Sequence, residues 1–235
     1  MGPSLKQSLG WAIGVGGFLF LAYGFLPVFA GSDGHYMIGA SCLSNQKELG
    51  TAMLIYLHDY DGRFPQVQRT SSQPEIEDRG RRIERPGGPT VFEALYPYFK
   101  SYHLLNCYGD PRFDRDAINA SLLKRNSYVF NGSFVFGINE NQIVDPSKAI
   151  MIAERRTTAV DHIPPYDDTI YRPWPDGAVS ALDPRIGAIA TTRHDGKSNY
   201  SFADSSAKSM SVSQTVGPGV NLHRIDRRDN HPAPR

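Results

Sequence analysis

SCLSNQKELGTAMLIYLHDYDGRFP (Ser41 to Pro65) reads as an amphipathic helix that carries its own stop. Leu49, Met53, Tyr56, Leu57 and Tyr60 recur at spacings of three and four, which gathers them on one helical face. Lys47, Glu48, His58 and Asp59 fall largely off that stripe. Gly62 supplies a stop and Pro65 prevents resumption of the helix. A single apolar stripe must be covered by another element, and a sheet is the natural candidate.

Upstream, Leu9 to Ala30 form a run of 22 residues without Asp, Glu, Lys or Arg. As a helix it spans roughly 33 Å at ~1.5 Å per residue, enough to cross a hydrocarbon core of about 30 Å. Within the short flank of residues 1–8, Lys6 is the only cation, and none follows until Lys47. That asymmetry puts the N-terminus inside and the remainder outside. The competing reading is a cleaved secretory signal ending at Val28-Phe29-Ala30. The run exceeds the usual apolar region of such signals and holds Pro27, which favours a retained transmembrane segment over residues 9–30. Both readings export the same domain, expected over residues 41–214, with a disordered Arg-rich tail over 215–235.

Composition narrows the function classes. With 25 Lys plus Arg against 24 Asp plus Glu, no global field favours nucleic acid as a partner. Only Cys42 and Cys107 occur. Outside the cytosol they either pair, stabilising the fold by roughly 4 kcal/mol in the chain-entropy model, or remain two small buried thiols. Neither lies in a Cys-x-x-Cys or zinc-like spacing.

Further along, Gln66 to Pro89 are polar and punctuated and read as a mobile loop, with a solvated charge cluster from Glu75 to Gly88. VFEALYPYFK (Val91 to Lys100) reads as a short helix. Asn131-Gly132 between Tyr128–Phe130 and Phe134–Phe136 is a strong hairpin signal, because both residues tolerate positive φ. Ala149 to Ala153 read as a buried strand ending at Glu154. A second hairpin is expected from Tyr200 and Phe202 to Met210 and Val212, turning at Asp204. A helix followed by antiparallel hairpins, without βαβ alternation, gives an α+β class: an amphipathic helix packed on an antiparallel sheet, behind an N-terminal transmembrane helix.

CLSNQKELGTAMLIYLHDYDGRFP resembles the helix end of a bacterial family of pilin-like or type II secretion pseudopilin-like proteins. That family has a prepilin-type N-terminus and a C-terminal motif of His, nine residues, then Asp-Gly. YPYFKSYHLLNCYGDPR (Tyr96 to Arg112), SYVFNG (Ser127 to Gly132), DPSKAIMIAE (Asp145 to Glu154) and RHDGKSNYSFADSSAKSM (Arg193 to Met210) are similar to its further segments, in the same order. Nine residues separate His194 from Asp204. The chain departs in having Gly10 where the family's prepilin signature has Glu, and Ser205-Ser206 where the family often has Gly-His. The resemblance implies a pilin-like fold and a single-pass membrane protein whose soluble domain faces the periplasm or exterior. It also implies a non-enzymatic structural or assembly role, with other pilin-like subunits or secretion machinery as partners.

The chemistry-bearing residues are few. His194, Asp195 and Asp204 are ligand types for a divalent metal, yet the set lacks a fourth member. Their alternative role is structural, with His194 hydrogen-bonded to a carboxylate or backbone group and Asp204 at the hairpin turn. Glu154 either joins this group or meets solvent. Asp59-Tyr60-Asp61-Gly62 reads as a helix end, since the remaining ligands of a calcium loop are missing. No Gly-x-Ser-x-Gly elbow, phosphate loop or Cys with a paired His is legible, so neither catalysis nor a cofactor is expected. The alternative function is a membrane-tethered module that binds a ligand or metal around His194 and Asp204.

Overall fold

The computed structural model describes residues 33–66, 76–78, 81–83, 89–123, 126–135, 137–157, 169–171, 186–217 and 219–225. The 1–8 flank, the 9–30 apolar run, Phe136 and the Arg-rich end lie outside them. Residues from Ile38 onward form one compact unit, separate from a unit over residues 1–37. Among the described residues no helix is long and apolar enough to cross a membrane.

Helix α1 runs over Asp33–Asp59, starting earlier than the sequence pattern marks and passing through Gly34 unbroken. Its buried face is Cys42, Gln46, Leu49, Met53, Tyr56 and Leu57, repeating every three or four residues. Tyr60, expected on that stripe, is 51% exposed and stacks on Tyr56. The helix ends as the sequence anticipates, with Asp61 at φ 52 and Gly62 at φ 73. The Gly62 amide donates to the Leu57 carbonyl at 2.7 Å. A side chain at Gly62 would also crowd Glu140 and Asn139.

The segment read as an irregular charged loop contains a two-stranded ladder, β1 (Ile76–Asp78) with β2 (Arg81–Ile83). Its Cα register is Ile76↔Ile83, Glu77↔Arg82 and Asp78↔Arg81. Helix α2 (Val91–Phe99) starts at a Thr90–Glu93 capping box, which satisfies two terminal amides reciprocally.

Five strands form the main sheet: β3 (Tyr128–Asn131), β4 (Ile150–Glu154), β5 (Ile170–Tyr171), β6 (Ser198–Phe202) and β7 (Ala207–Met210), ordered β5-β3-β4-β6-β7. All pairings are antiparallel except β3 with β5. The molecule is thus α+β, with a helix and an antiparallel-rich sheet. Its helix side buries Met53, Leu49, Phe92, Tyr128, Phe130 and Ile152 together, and its other side buries Val129, Ala153, Tyr171, Ile189, Tyr200 and Phe202. A register shift between Ile150 and Ile152 places Ile150 on the second side and both Met151 and Ile152 on the first.

Two expectations are corrected here. Asn131-Gly132 does not turn a hairpin: Asn131 has φ −71 and caps a 3₁₀ turn over Gly132–Phe134, and β3 pairs with β4 and β5. The Asn131 amide donates to the carbonyls of Ile150 and His223, each at 2.8 Å, so the residue ties three segments together. Gly132 serves close approach, since a Cβ there would lie 2.9 Å from the Tyr171 carbonyl oxygen. The tail expected from residue 215 is structured as far as residue 225. A short helix α3 (Val212–Thr215) leads into a ladder of β8 (Val216–Gly217) and β9 (Val220–Asn221). Buried His223 follows, and its contacts to Thr215 and Tyr171 hold this stretch against the sheet.

His223 sets a pH dependence. Thr215 donates its hydroxyl proton to the Val212 carbonyl, so its oxygen accepts from His223 Nε2–H at 3.0 Å. Nδ1 then accepts from the Tyr171 hydroxyl at 2.8 Å. Burial pushes this imidazole well below its ordinary value of 6.5. The unfolded chain therefore takes up a proton that the folded chain refuses, and the stability this group contributes is full above about pH 6.5 and falls below it. One such proton changes stability by up to ~1.4 kcal/mol per pH unit. Urea midpoints should be lower at pH 5.5 than at 7.5, and His223→Gln should shrink that difference. An undiminished difference in the variant refutes the assignment.

Candidate functional site

At the end of the central strand β4, Glu154 is fully buried on the helix side of the sheet. A carboxylate at that depth needs several donors. Its Oε1 lies 2.8 Å from His194 Nε2 and 3.3 Å from Asn199 Nδ2. Its Oε2 accepts from the Asn199 backbone amide at 3.0 Å and the Ser198 hydroxyl at 3.3 Å. The antiparallel register of β4 with β6 supplies the last two donors, and the chain entering β6 supplies the imidazole.

His194 is delivered by a tight turn. Its backbone bonds with Lys197 in both directions, at 3.1 and 3.0 Å, around Asp195 and Gly196 at φ 50 and 78. Two successive positive φ values mark a type I′ turn, the geometry an Asp-Gly pair favours. The ring is enclosed by backbone on two sides. A Cβ on Gly39 would lie 3.5 Å from its Nδ1, and one on Gly109 would lie 3.0 Å from its Cε1.

Against this pair lies the Cys42–Cys107 disulfide, whose Cα atoms are 5.0 Å apart. Cys107 Sγ is 3.5 Å from both Glu154 Oε1 and His194 Nε2. Tyr128, opposite Glu154 in the β3–β4 register, is buried beside them, and burial, then the Glu154 charge, raises its phenol above the ordinary range. Helix α1 joins the group through Gln46, which donates to the Asn199 carbonyl at 2.7 Å.

A second buried polar group fixes the Cys107 loop. Asp110 accepts from the Arg112 amide and the Ser127 and Thr157 hydroxyls, and lies 3.5 Å from the Arg193 guanidinium. Burial alone would raise its pKa. Arg193 and the three donors outweigh that effect and hold the carboxyl below its ordinary range. Arg193 also donates to the carbonyls of Ser127 and Arg155, at 3.1 and 2.6 Å, so His194 is preceded by a residue pinned to the ends of both central strands.

The metal set drawn from the sequence does not assemble. Asp195 is exposed at its turn, and Asp204 is exposed at the β6–β7 turn, accepting from the Ser206 amide at 2.9 Å and hydroxyl at 2.6 Å. Strand β6, which spans about 13 Å at ~3.3 Å per residue, lies between Asp204 and His194 in the chain and puts them beyond its opposite ends. Cys42, Cys107, Glu154 and His194 come together instead, with one ligand atom of each within 4.8 Å of every other. Cys42 and Cys107 stood apart in the sequence reading as a possible bridge, and Glu154 as an open case. The one available signal was that Glu154 ends a wholly apolar strand, where a carboxylate must find donors or water.

Comparison of the chain with protein-family models, curated proteins and solved structures finds no match in any of the three.

Proposed function

We propose that this chain is a membrane-anchored, pilin-like or pseudopilin-like protein of structural or assembly role at the cell envelope, without catalytic activity. The observation that carries this reading is the packing of one face of α1 on an antiparallel-rich sheet, in a chain whose sequence places a charge-free run of 22 residues shortly before that helix. The disulfide adds support for an oxidising compartment, since such bonds persist mainly outside the cytosol. Its partners on this reading are the membrane itself and other pilin-like subunits or secretion machinery.

The full chain, expressed in a bacterial host, should sediment with membranes, resist alkaline carbonate and dissolve in detergent. Protease added to spheroplasts should reach the globular domain, and a maleimide should label the cysteines only after reduction. Release by carbonate, or protection from protease in intact spheroplasts, would sink the reading.

A further inference from the structure

Two cysteines, a histidine and a glutamate converge at one buried point, and their chemistry exceeds a structural bridge. We propose that the reduced chain binds one zinc ion through Cys42, Cys107, His194 and Glu154, so that disulfide and metal are alternative occupants of the same site. The inference does not depend on membrane attachment or assembly.

The geometry supports four-coordination. Zinc takes thiolate sulfur at about 2.3 Å and nitrogen or oxygen at about 2.0–2.2 Å, usually as a tetrahedron. The edges of such a tetrahedron are about 3.3 Å between nitrogen and oxygen and about 3.5 Å between sulfur and either. Here the corresponding separations are 2.8 Å from His194 Nε2 to Glu154 Oε1, and 3.5 Å from Cys107 Sγ to each of those atoms. The four ligand atoms all lie within 4.8 Å of one another. Cys42 and Cys107, with Cα atoms 5.0 Å apart, sit close enough to share one ion.

The surroundings suit a metal as well. Glu154 Oε2 keeps its bonds from Asn199 N–H and Ser198, which orient the carboxylate while Oε1 is offered to the ion. Three ligands are fully buried and the His194 side chain is only 8% exposed, so water competes weakly. Two thiolates with an imidazole select zinc or cobalt over calcium and magnesium, which prefer all-oxygen sites.

The chemistry balances simply. A phosphine reductant breaks the sulfur–sulfur bond, its phosphorus giving two electrons. Water supplies the two thiol protons and the oxygen of the phosphine oxide. Zinc binding then releases both thiol protons to the buffer as two zinc–sulfur bonds form.

The test is a cobalt titration of the full chain in detergent, oxidised and phosphine-reduced, under anaerobic conditions. Reduced protein should develop intense tetrahedral ligand-field bands and a thiolate charge-transfer band, saturating at one cobalt per chain and bleached by zinc. Oxidised protein should develop neither. Cys42→Ser should abolish the charge-transfer intensity expected for two thiolates, and His194→Ala should weaken affinity by at least tenfold. Zinc should raise the melting temperature of the reduced chain only. Where reduction itself unfolds the chain, zinc must restore its far-ultraviolet circular dichroism. Absence of a tetrahedral spectrum, equal binding by the oxidised chain, unchanged binding in both variants, or failure of zinc to stabilise or refold the reduced chain would each overturn the proposal.

Discussion

Met53→Asp should abolish folding of the globular domain, whereas Lys47→Asp should leave its melting temperature unchanged. Met53 is fully buried where α1 meets the sheet, among Leu49, Phe92, Tyr128 and Ile152. Truncating a buried methionine typically costs ~2–5 kcal/mol from lost burial and the residual cavity. The substitution adds a carboxylate with no donor provided for it, which either stays charged at a large desolvation cost or protonates and remains without a designed partner. Domains of this size are stable by only about 5–15 kcal/mol, so the combined effect consumes most or all of that margin. Lys47 is exposed on the opposite face, where substitutions usually change stability by about 0.5 kcal/mol or less. Far-ultraviolet circular dichroism and urea melts of both variants give the comparison. Equal stability would refute the packing of α1 on the sheet.

Glu154→Ala in the oxidised protein should be the second large effect, and it should exceed His194→Ala. Removing the carboxylate deprives the His194 imidazole, the Asn199 amide N–H and side chain, and the Ser198 hydroxyl of their shared acceptor. Each buried donor that loses its acceptor costs about 1–3 kcal/mol, and here four donors lose the same one. Removing His194 leaves Glu154 with the Asn199 and Ser198 donors, so the loss is that of one buried bond, about 1–3 kcal/mol. Glu154→Gln should fall between them, because the amide keeps one acceptor oxygen and the side-chain volume. Because the two residues touch, the double variant should cost less than the sum of the singles. Additive losses in urea melts would show that the two side chains act independently, contrary to their 2.8 Å contact.

Local pattern made the helix and the last hairpin of the sheet legible, although the hairpin ends at Met210, and Val212, expected in it, opens α3. The stripe of α1 and the alternation in β6 and β7 both depend on sequence neighbours, and Gly62 needs only its own backbone to end a helix. The dipeptides divide differently. Asn131-Gly132 carries the stronger hairpin signature but is claimed by tertiary partners, because Asn131 bonds to Ile150 and His223 and Gly132 lies against Tyr171. Asp195-Gly196, read only for the aspartate's ligand chemistry, adopts the type I′ turn. The buried polar site was least legible, since Cys42, Cys107, Glu154 and His194 lie far apart in sequence, on a helix, a loop, a strand and a turn that only the tertiary fold brings together. The ordered stretch to residue 225 escaped notice for a related reason. Its anchor, His223, is polar, and polarity says surface until its partners Tyr171 and Thr215 are known.

Strand β6 lies late in the chain yet sits between β4 and β7. It also meets the N-terminal helix, Gln46 reaching the Asn199 carbonyl across 153 residues of sequence. Closing such distant pairings is slow compared with helix–helix contacts. A growing chain thus lacks a strand from the interior of its sheet until about residue 202 has been made. Until then β4 has one flank unpaired and Glu154 has neither Asn199 nor His194. The five-stranded order therefore cannot close before β6 and β7 have both left the ribosome.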